Sequence, residues 1–244
     1  MPRASELRVE PERACPLGVC DGSGWILGPE DVARTCECRA DRMRRARNRG
    51  VASVIPAKYR GVSFDRPPVS EIEPMVVRVV RSFTEDLDAN LDAGRGLWLM
   101  GDTGTGKTTL AMLVSKAALA AGRTVAIYSL PKLLARIRRT YDAEPGQDSY
   151  LALFELLTSV DLLHIDDLGA EKRSDWVLEQ LYSLVNERYE EKRSLIVTTN
   201  LDFGELEDQI GTRTVSRIVE MCGDPLYLYG EDRRIALKPG EPHS

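Results

Sequence analysis

The 244-residue chain contains no run of eighteen apolar residues, and its first residues are polar, without the apolar stretch of a secretory leader. A membrane-spanning helix and export are therefore not expected, and a cytoplasmic location is. Charge of one sign is not in excess either. The formal net charge is −5, which argues neither for nor against nucleic acid as a partner. That balance hides an asymmetry, because six arginines and one aspartate fall between Arg39 and Arg49. Cysteine is sparse, with five residues. In a chain expected to remain in a reducing compartment, they point to metal ligation or free thiols before disulfides. With 43% hydrophobic and 29% charged residues, the composition suits one sizeable α/β domain and a small appendage.

The stretch around which the chain is organised is Gly101-Asp102-Thr103-Gly104-Thr105-Gly106-Lys107-Thr108-Thr109. It fits the phosphate-binding pattern G-x-x-x-x-G-K-[ST]. The apolar Leu97-Trp98-Leu99-Met100 precedes it as a buried strand, and a helix is predicted from Thr108 to Ala120, stopped by Gly122. Glycines let the backbone wrap around phosphate oxygens, and the helix start offers unpaired N–H groups and the positive end of its dipole. Lys107 is placed to reach the β- and γ-phosphates of a nucleotide, and the Thr108 hydroxyl to ligate Mg²⁺. The plainer alternative, a glycine turn between strand and helix, does not require motif, strand and helix to coincide.

Downstream, Asp161 to Asp166 reads as an apolar strand ending in two acids, Asp166 and Asp167. Beside a phosphate loop this arrangement lets Asp166 hold Mg²⁺, directly or through water, and Asp167 polarise an attacking water. His164 lies within that strand and reads as a packed core side chain rather than a ligand. Leu195 to Thr199 is a further buried strand ending at Asn200. The Asn200 amide is placed to bond the lytic water or γ-phosphate, or else simply caps the strand in a turn. Helices are predicted over Pro74 to about Leu91, Pro131 to Tyr141, Ser149 to Thr158 and Ser174 to Tyr189. Strands alternating with helices give a doubly wound parallel sheet. Arg217 lies in a short helix, where it is either a surface ion-pair partner or a guanidinium offered in trans to a neighbouring subunit's γ-phosphate.

Before the core, Cys15 and Cys20 flank a glycine-rich turn from Cys36 and Cys38. Four thiolates converging on one Zn²⁺ would replace a hydrophobic core that so few residues cannot build. His243 and His164 are remote, so a cysteine-only site is the economical arrangement. The spacings C-x4-C and C-x-C depart from the commonest knuckle, and four ordinary cysteines is the alternative. Arg39 to Arg49 is a basic helix by composition, suited to phosphates, to an acidic protein surface or simply to solvent. The expected organisation is a Cys-rich, zinc-binding segment at 1–55, a linker at 56–73 and an ATPase domain at 74–240.

With the phosphate loop, Ile-Asp-Asp-Leu-Gly at 165–169, Thr-Thr-Asn at 198–200 and Ser-Arg-Ile at 216–218 in hand, the chain resembles the AAA+ ATPases of the DnaC/DnaI helicase-loader type. The resemblance runs from about Cys15 to Arg234. It implies a P-loop core without a full helical lid, ATP and Mg²⁺ as ligands, and an N-terminal zinc domain that docks on a DnaB-type replicative helicase. It further implies single-stranded DNA as a partner, assembly into a homo-oligomeric spiral or ring, and an arginine finger at Arg217. Arg234 resembles the second sensor, with Arg233 adjacent to it. Arg136, Arg138, Arg139 and Tyr141 fall where such proteins contact single strands. The resemblance leaves two other functions open. One is a transposition helper of the IstB-like kind; the other is a zinc-dependent adaptor with a vestigial ATP site.

Overall fold

Near-continuous apolar strands need cover on both sides, and the fold supplies it. The computed structural model describes residues 15–28, 32–39, 55–141, 149–230 and 232. The chain divides into two compact units, Met1–Gly50 and Val51–Ser244. In the larger unit five parallel strands form one sheet: β3 (Leu97–Gly101), β4 (Val125–Ser129), β5 (Leu162–Asp166), β6 (Ser194–Thr199) and β7 (Leu226–Leu228), in the spatial order β4-β5-β6-β3-β7. The helices are α1 (Pro74–Glu85), α2 (Leu87–Asp92), α3 (Lys107–Ala120), α4 (Leu130–Tyr141), α5 (Tyr150–Ser159), α6 (Asp175–Glu190), α7 (Phe203–Ile210) and α8 (Thr212–Cys222). Among the described residues, no helix is long and apolar enough to cross a membrane.

Strand alternation divides the core in two. Leu97, Leu99, Val125, Leu162 and Ile196 meet α1, α2 and α3 on one face. Trp98, Met100, Ala126, Leu163, Ile165 and Val197 meet α4 to α8 on the other. The adjacent strands β3 and β6 thus send their following helices to opposite faces. Their C-terminal ends are level, with Met100 paired to Thr199. A crevice opens where the connections part, the place where open α/β sheets bind ligands.

Two expectations are modified here. The helix predicted from Pro74 to about Leu91 is broken at Asp86 into α1 and α2. The Asn90 amide donates to Phe83 O at 3.1 Å, giving a carbonyl at the end of α1 a side-chain partner. The segment expected as a linker, 56–73, carries Val69 and Ile72 into the core, with Val62 and Phe64 packed against it.

Arg188 on α6 is fully buried, although its type suggests a solvent-facing position. Its guanidinium donates to Leu157 O (2.7 Å), Thr158 O (3.3 Å), Val160 O (3.1 Å), Asp161 O (3.4 Å) and Ser194 O, tying the α5–β5 turn to the start of β6. Burial pulls its pKa down to about 9, with the nearby Arg193 adding to the shift, so the cation persists at neutral pH. Removing the fork strands several buried carbonyls at once. Arg188→Met should therefore lower unfolding free energy by about 3 kcal/mol. Urea denaturation checks this, and a loss well below 1 kcal/mol would contradict it.

In the smaller unit, β1 (Trp25–Leu27) pairs antiparallel with β2 (Ala33–Thr35). The cysteines flank this hairpin. Cys36 N donates to Gly24 O at 2.9 Å, closing its base. A Cβ on Gly24, whose φ is +83°, would press on Arg39 Cβ at 3.0 Å. The Arg39 guanidinium lies over the Trp25 ring, 3.6 Å from its centroid.

Candidate functional site

The loop between β3 and α3 folds as its glycines allow. At Gly106 φ is +106°, and a Cβ there would lie 2.4 Å from Ile72 Cδ1. Lys107 is buried; its Nζ donates to Gly101 O (2.7 Å) and Asp102 O (2.5 Å), curling over the loop it follows. Thr105 Oγ1 donates to Asp102 O at 2.8 Å. Asp232, beyond β7, sits against the loop, where its Oδ1 would be 1.9 Å from a Cβ on Gly104.

The two acids arrive from β5. Asp166 Oδ1 accepts hydrogen bonds from Thr108 Oγ1 (2.8 Å) and Thr198 Oγ1 (2.7 Å). Asp167 has a φ of +57°, uncommon for a residue with a side chain. The corner is held by the β6 tip. Asp167 N donates to Thr198 Oγ1 (3.0 Å), Leu168 N to Thr198 O (2.8 Å), and Thr199 Oγ1 to Leu168 O (2.7 Å).

His164 is buried as expected but is more than packing. Its Nδ1 lies 3.0 Å from Ser115 Oγ and its Nε2 3.9 Å from Asp166 Oδ1. Desolvation lowers its pKa to about 4 against the opposing pull of Asp166, so the imidazole is neutral at physiological pH.

Thr103, Gly104, Gly106, Lys107, Thr108, Thr109, Asp166, Asp167 and Asn200 line one cavity of about 550 Å³. Its remaining wall is Lys58, Tyr59, Pro68 and Ala170, so the segment leading into the domain forms part of the site. Arg217 is elsewhere, on α8. Its Nε donates to Asn186 Oδ1 (3.3 Å), its Nη1 pairs with Glu220 Oε1 (3.1 Å), and its guanidinium lies 4.2 Å from the Tyr189 ring centroid. Arg234 and Arg233 lie outside the described residues. Of the positions expected by resemblance to meet single-stranded DNA, Arg136 donates to Tyr128 Oη and Arg138 covers the Trp176 ring at 4.6 Å. Tyr141 is exposed and stacked on Tyr150 at 5.7 Å. In the sequence Thr198 stands out only as part of Thr-Thr-Asn at 198–200; the role of its hydroxyl carries no signal, since a threonine in a β-branched strand reads as ordinary strand composition.

The donor set fits a magnesium nucleotide: an ammonium, a helix start, a hydroxyl and two carboxylates around a cleft of suitable size. In the smaller unit the Sγ atoms of Cys15, Cys20, Cys36 and Cys38 lie within 4.8 Å of one another. Cys15–Cys36 is 3.8 Å and Cys20–Cys38 3.5 Å. Four sulfurs around zinc at about 2.3 Å are separated by about 3.8 Å, so the cluster fits that ion. Burial, then the neighbouring Cys36 sulfur, pushes the Cys38 thiol up. The Cys20 backbone N–H is the main influence bringing Cys15 down to about 6.

Sheet order, phosphate loop and acidic strand end define a nucleotide-binding protein with the P-loop AAA+ fold. Residues 35–220 match the family described as IstB-like ATP binding protein, and the chain belongs to that family. It is 26% identical over 203 residues to the replicative helicase loader DnaC of Buchnera aphidicola subsp. Acyrthosiphon pisum, covering 83% of this chain and 78% of the relative. It is 27% identical over 183 residues to the replicative helicase loader DnaC of Escherichia coli (strain K12), covering 75% and 71%. A crystal structure of the DnaC helicase loader superposes with a TM-score of 0.60 at 27% identity, covering 72% of this chain and 99% of that one.

The full chain should purify with one zinc per chain, measurable by elemental analysis. Chelation should expose residues 15–39 to protease while the larger unit keeps its cooperative melt. A metal-free preparation in which that segment resists protease would contradict the zinc assignment.

Proposed function

We propose that this chain is an ATP-dependent loader that delivers a ring-shaped replicative helicase onto single-stranded DNA, with hydrolysis timing release. The observation that carries the nucleotide half is the convergence of Lys107, Thr108, Asp166, Asp167 and Asn200 on one cavity. The DnaC relatives support the loading half.

In this reading the loop amides from Gly101 to Thr109 and the Lys107 ammonium grip the triphosphate. Thr108 and Asp166 would hold Mg²⁺, which neutralises phosphate charge. Asp167 draws a proton from the attacking water, and Asn200 orients that water or the γ-phosphate. Tyr59 and Pro68 offer apolar surface to the base. Arg217 is absent from its own chain's cavity lining, as a residue serving a neighbour's site would be. Head-to-tail contacts of this kind generate rings or open spirals according to whether the rotation closes. The cysteine unit docks on the helicase, while Arg139 and Tyr141, both exposed, offer a phosphate contact and a stacking face to a single strand.

The family description favours a second reading, an IstB-like transposition helper whose ATPase acts on duplex DNA with a transposase. DNA form separates the two. Single strands should raise ATP turnover severalfold more than duplex of equal length, and the reverse preference would favour the helper. The trans role of Arg217 is tested by mixing. Arg217→Ala and Asp167→Asn proteins, each inactive alone, should together recover part of the hydrolysis rate. No recovery from intact mixed oligomers would place Arg217 outside a neighbour's site.

A further inference from the structure

The Thr198 hydroxyl serves both acids of the site at once. It is fully buried on β6, where Leu99 on β3 is its register partner. A hydroxyl has one proton and two lone pairs. Here the proton goes to Asp166 Oδ1 at 2.7 Å, and a lone pair receives the Asp167 N–H at 3.0 Å. Thr108 Oγ1 is a second donor to the same oxygen at 2.8 Å. With two hydroxyls on Oδ1, rotation of the carboxylate is restrained by one donor on the phosphate-loop helix and one on the neighbouring strand. Oδ2 has no hydrogen-bond partner among the described residues, and Asp166 lines the cavity. Oδ2 is thus the oxygen left for a ligand there.

The Asp167 contact does different work. At φ +57° the backbone of a residue with a side chain is held against its preference. The acceptor that satisfies its N–H is the oxygen that orients Asp166. One carbonyl further along the same residue, Thr198 O takes Leu168 N–H at 2.8 Å. The β-branched side chain limits χ1 on the strand, so the hydroxyl keeps its aim. Two residues on, Asn200 lines the cavity, placing all three functional positions on one stitched strand-end pair.

We propose that Thr198 is a positioning residue: its single hydroxyl sets the direction of the metal-facing carboxylate of Asp166 and the backbone geometry that presents Asp167. This rests on the reading that the cavity takes a magnesium nucleotide. Partners that orient metal-binding groups typically account for 10–100-fold in metal affinity.

The test is calorimetric titration of the full chain with a non-hydrolysable ATP analogue, with magnesium and with EDTA, on wild type, Thr198→Val and Thr198→Ser. All three should bind equally in EDTA. Magnesium should tighten wild type and Thr198→Ser alike, with the gain about tenfold smaller in Thr198→Val, whose turnover at saturating ATP also falls while KM in excess magnesium changes less. A wild-type magnesium gain in Thr198→Val overturns the proposal. Equal losses with and without magnesium overturn it too, since they mark general loosening. Should Thr198→Val fail to fold, Thr198→Cys, which keeps a weak donor, should show an intermediate gain; a wild-type gain there is again decisive against it. Wild-type protein that binds no nucleotide under either condition refutes the cavity's assignment itself, a result unlike any variant-specific outcome.

Discussion

Asp166 Oδ1 accepts from two threonine hydroxyls that come from different strand–helix units, Thr108 at the start of α3 and Thr198 near the end of β6. The site depends on this shared oxygen, because it is where the phosphate loop, the acidic strand and the strand between them are joined. The interaction needs β6 to lie between β3 and β5, which the sheet order provides. A phosphate loop and an acidic strand end could be present in the chain and still be unlinked if that strand lay elsewhere. The same junction gathers negative charge facing the place where a polyphosphate would sit. The counterweights are Lys107, the α3 N-terminus and, in the reading proposed here, a divalent cation.

The two units of the chain solve the stability problem differently. The larger one buries both faces of a parallel sheet, and where a turn must cross its interior, Arg188 supplies donors for carbonyls that water cannot reach. Among its described residues the smaller one has no comparable apolar interior. Its buried cluster consists of Cys15, Cys36 and Cys38, with Cys20 and Ile26 packed alongside. A unit built this way would gain its stability from an ion held by its sulfurs, as the zinc test above checks, whereas the sheet unit stands on its own packing.

The phosphate loop was legible because its chemistry is contiguous: strand, glycines, lysine and helix follow one another, and the backbone conformation is dictated locally. β3, β5 and β6 were legible for a related reason, as buried parallel strands are short, apolar and bounded by turns, whereas the short β7 lies in a tail that carried no strand expectation. The four cysteines were legible as a group by type, and folding brings their sulfurs together despite unusual spacing. What escaped the sequence is what only tertiary packing decides. Thr198 stands in the Thr-Thr-Asn run, but the work of its hydroxyl cannot be told from that of any strand threonine until its neighbours are known. Arg188 sits in a helix whose pattern allows a solvent-facing arginine, yet it lies inside. At the break at Asp86 the Asn90 side chain reaches back to Phe83 O, a contact with no local signature. The 56–73 segment has the composition of a linker, and its burial of Val69 and Ile72 follows from a sheet face that needed covering. Arg217 could be noticed in the sequence, but its distance from its own chain's cavity lining emerged only with the fold.

In the proposed function, main-chain amides and the Lys107 ammonium grip a triphosphate in the cavity between β3, β5 and β6. The most direct measurement is equilibrium binding of fluorescent ATP to the full chain in magnesium, alongside Lys107→Ala. Wild-type protein should bind one nucleotide per chain saturably, with affinity falling at least tenfold in the variant. Binding that is absent in the wild type, or unchanged by loss of the ammonium, would contradict it.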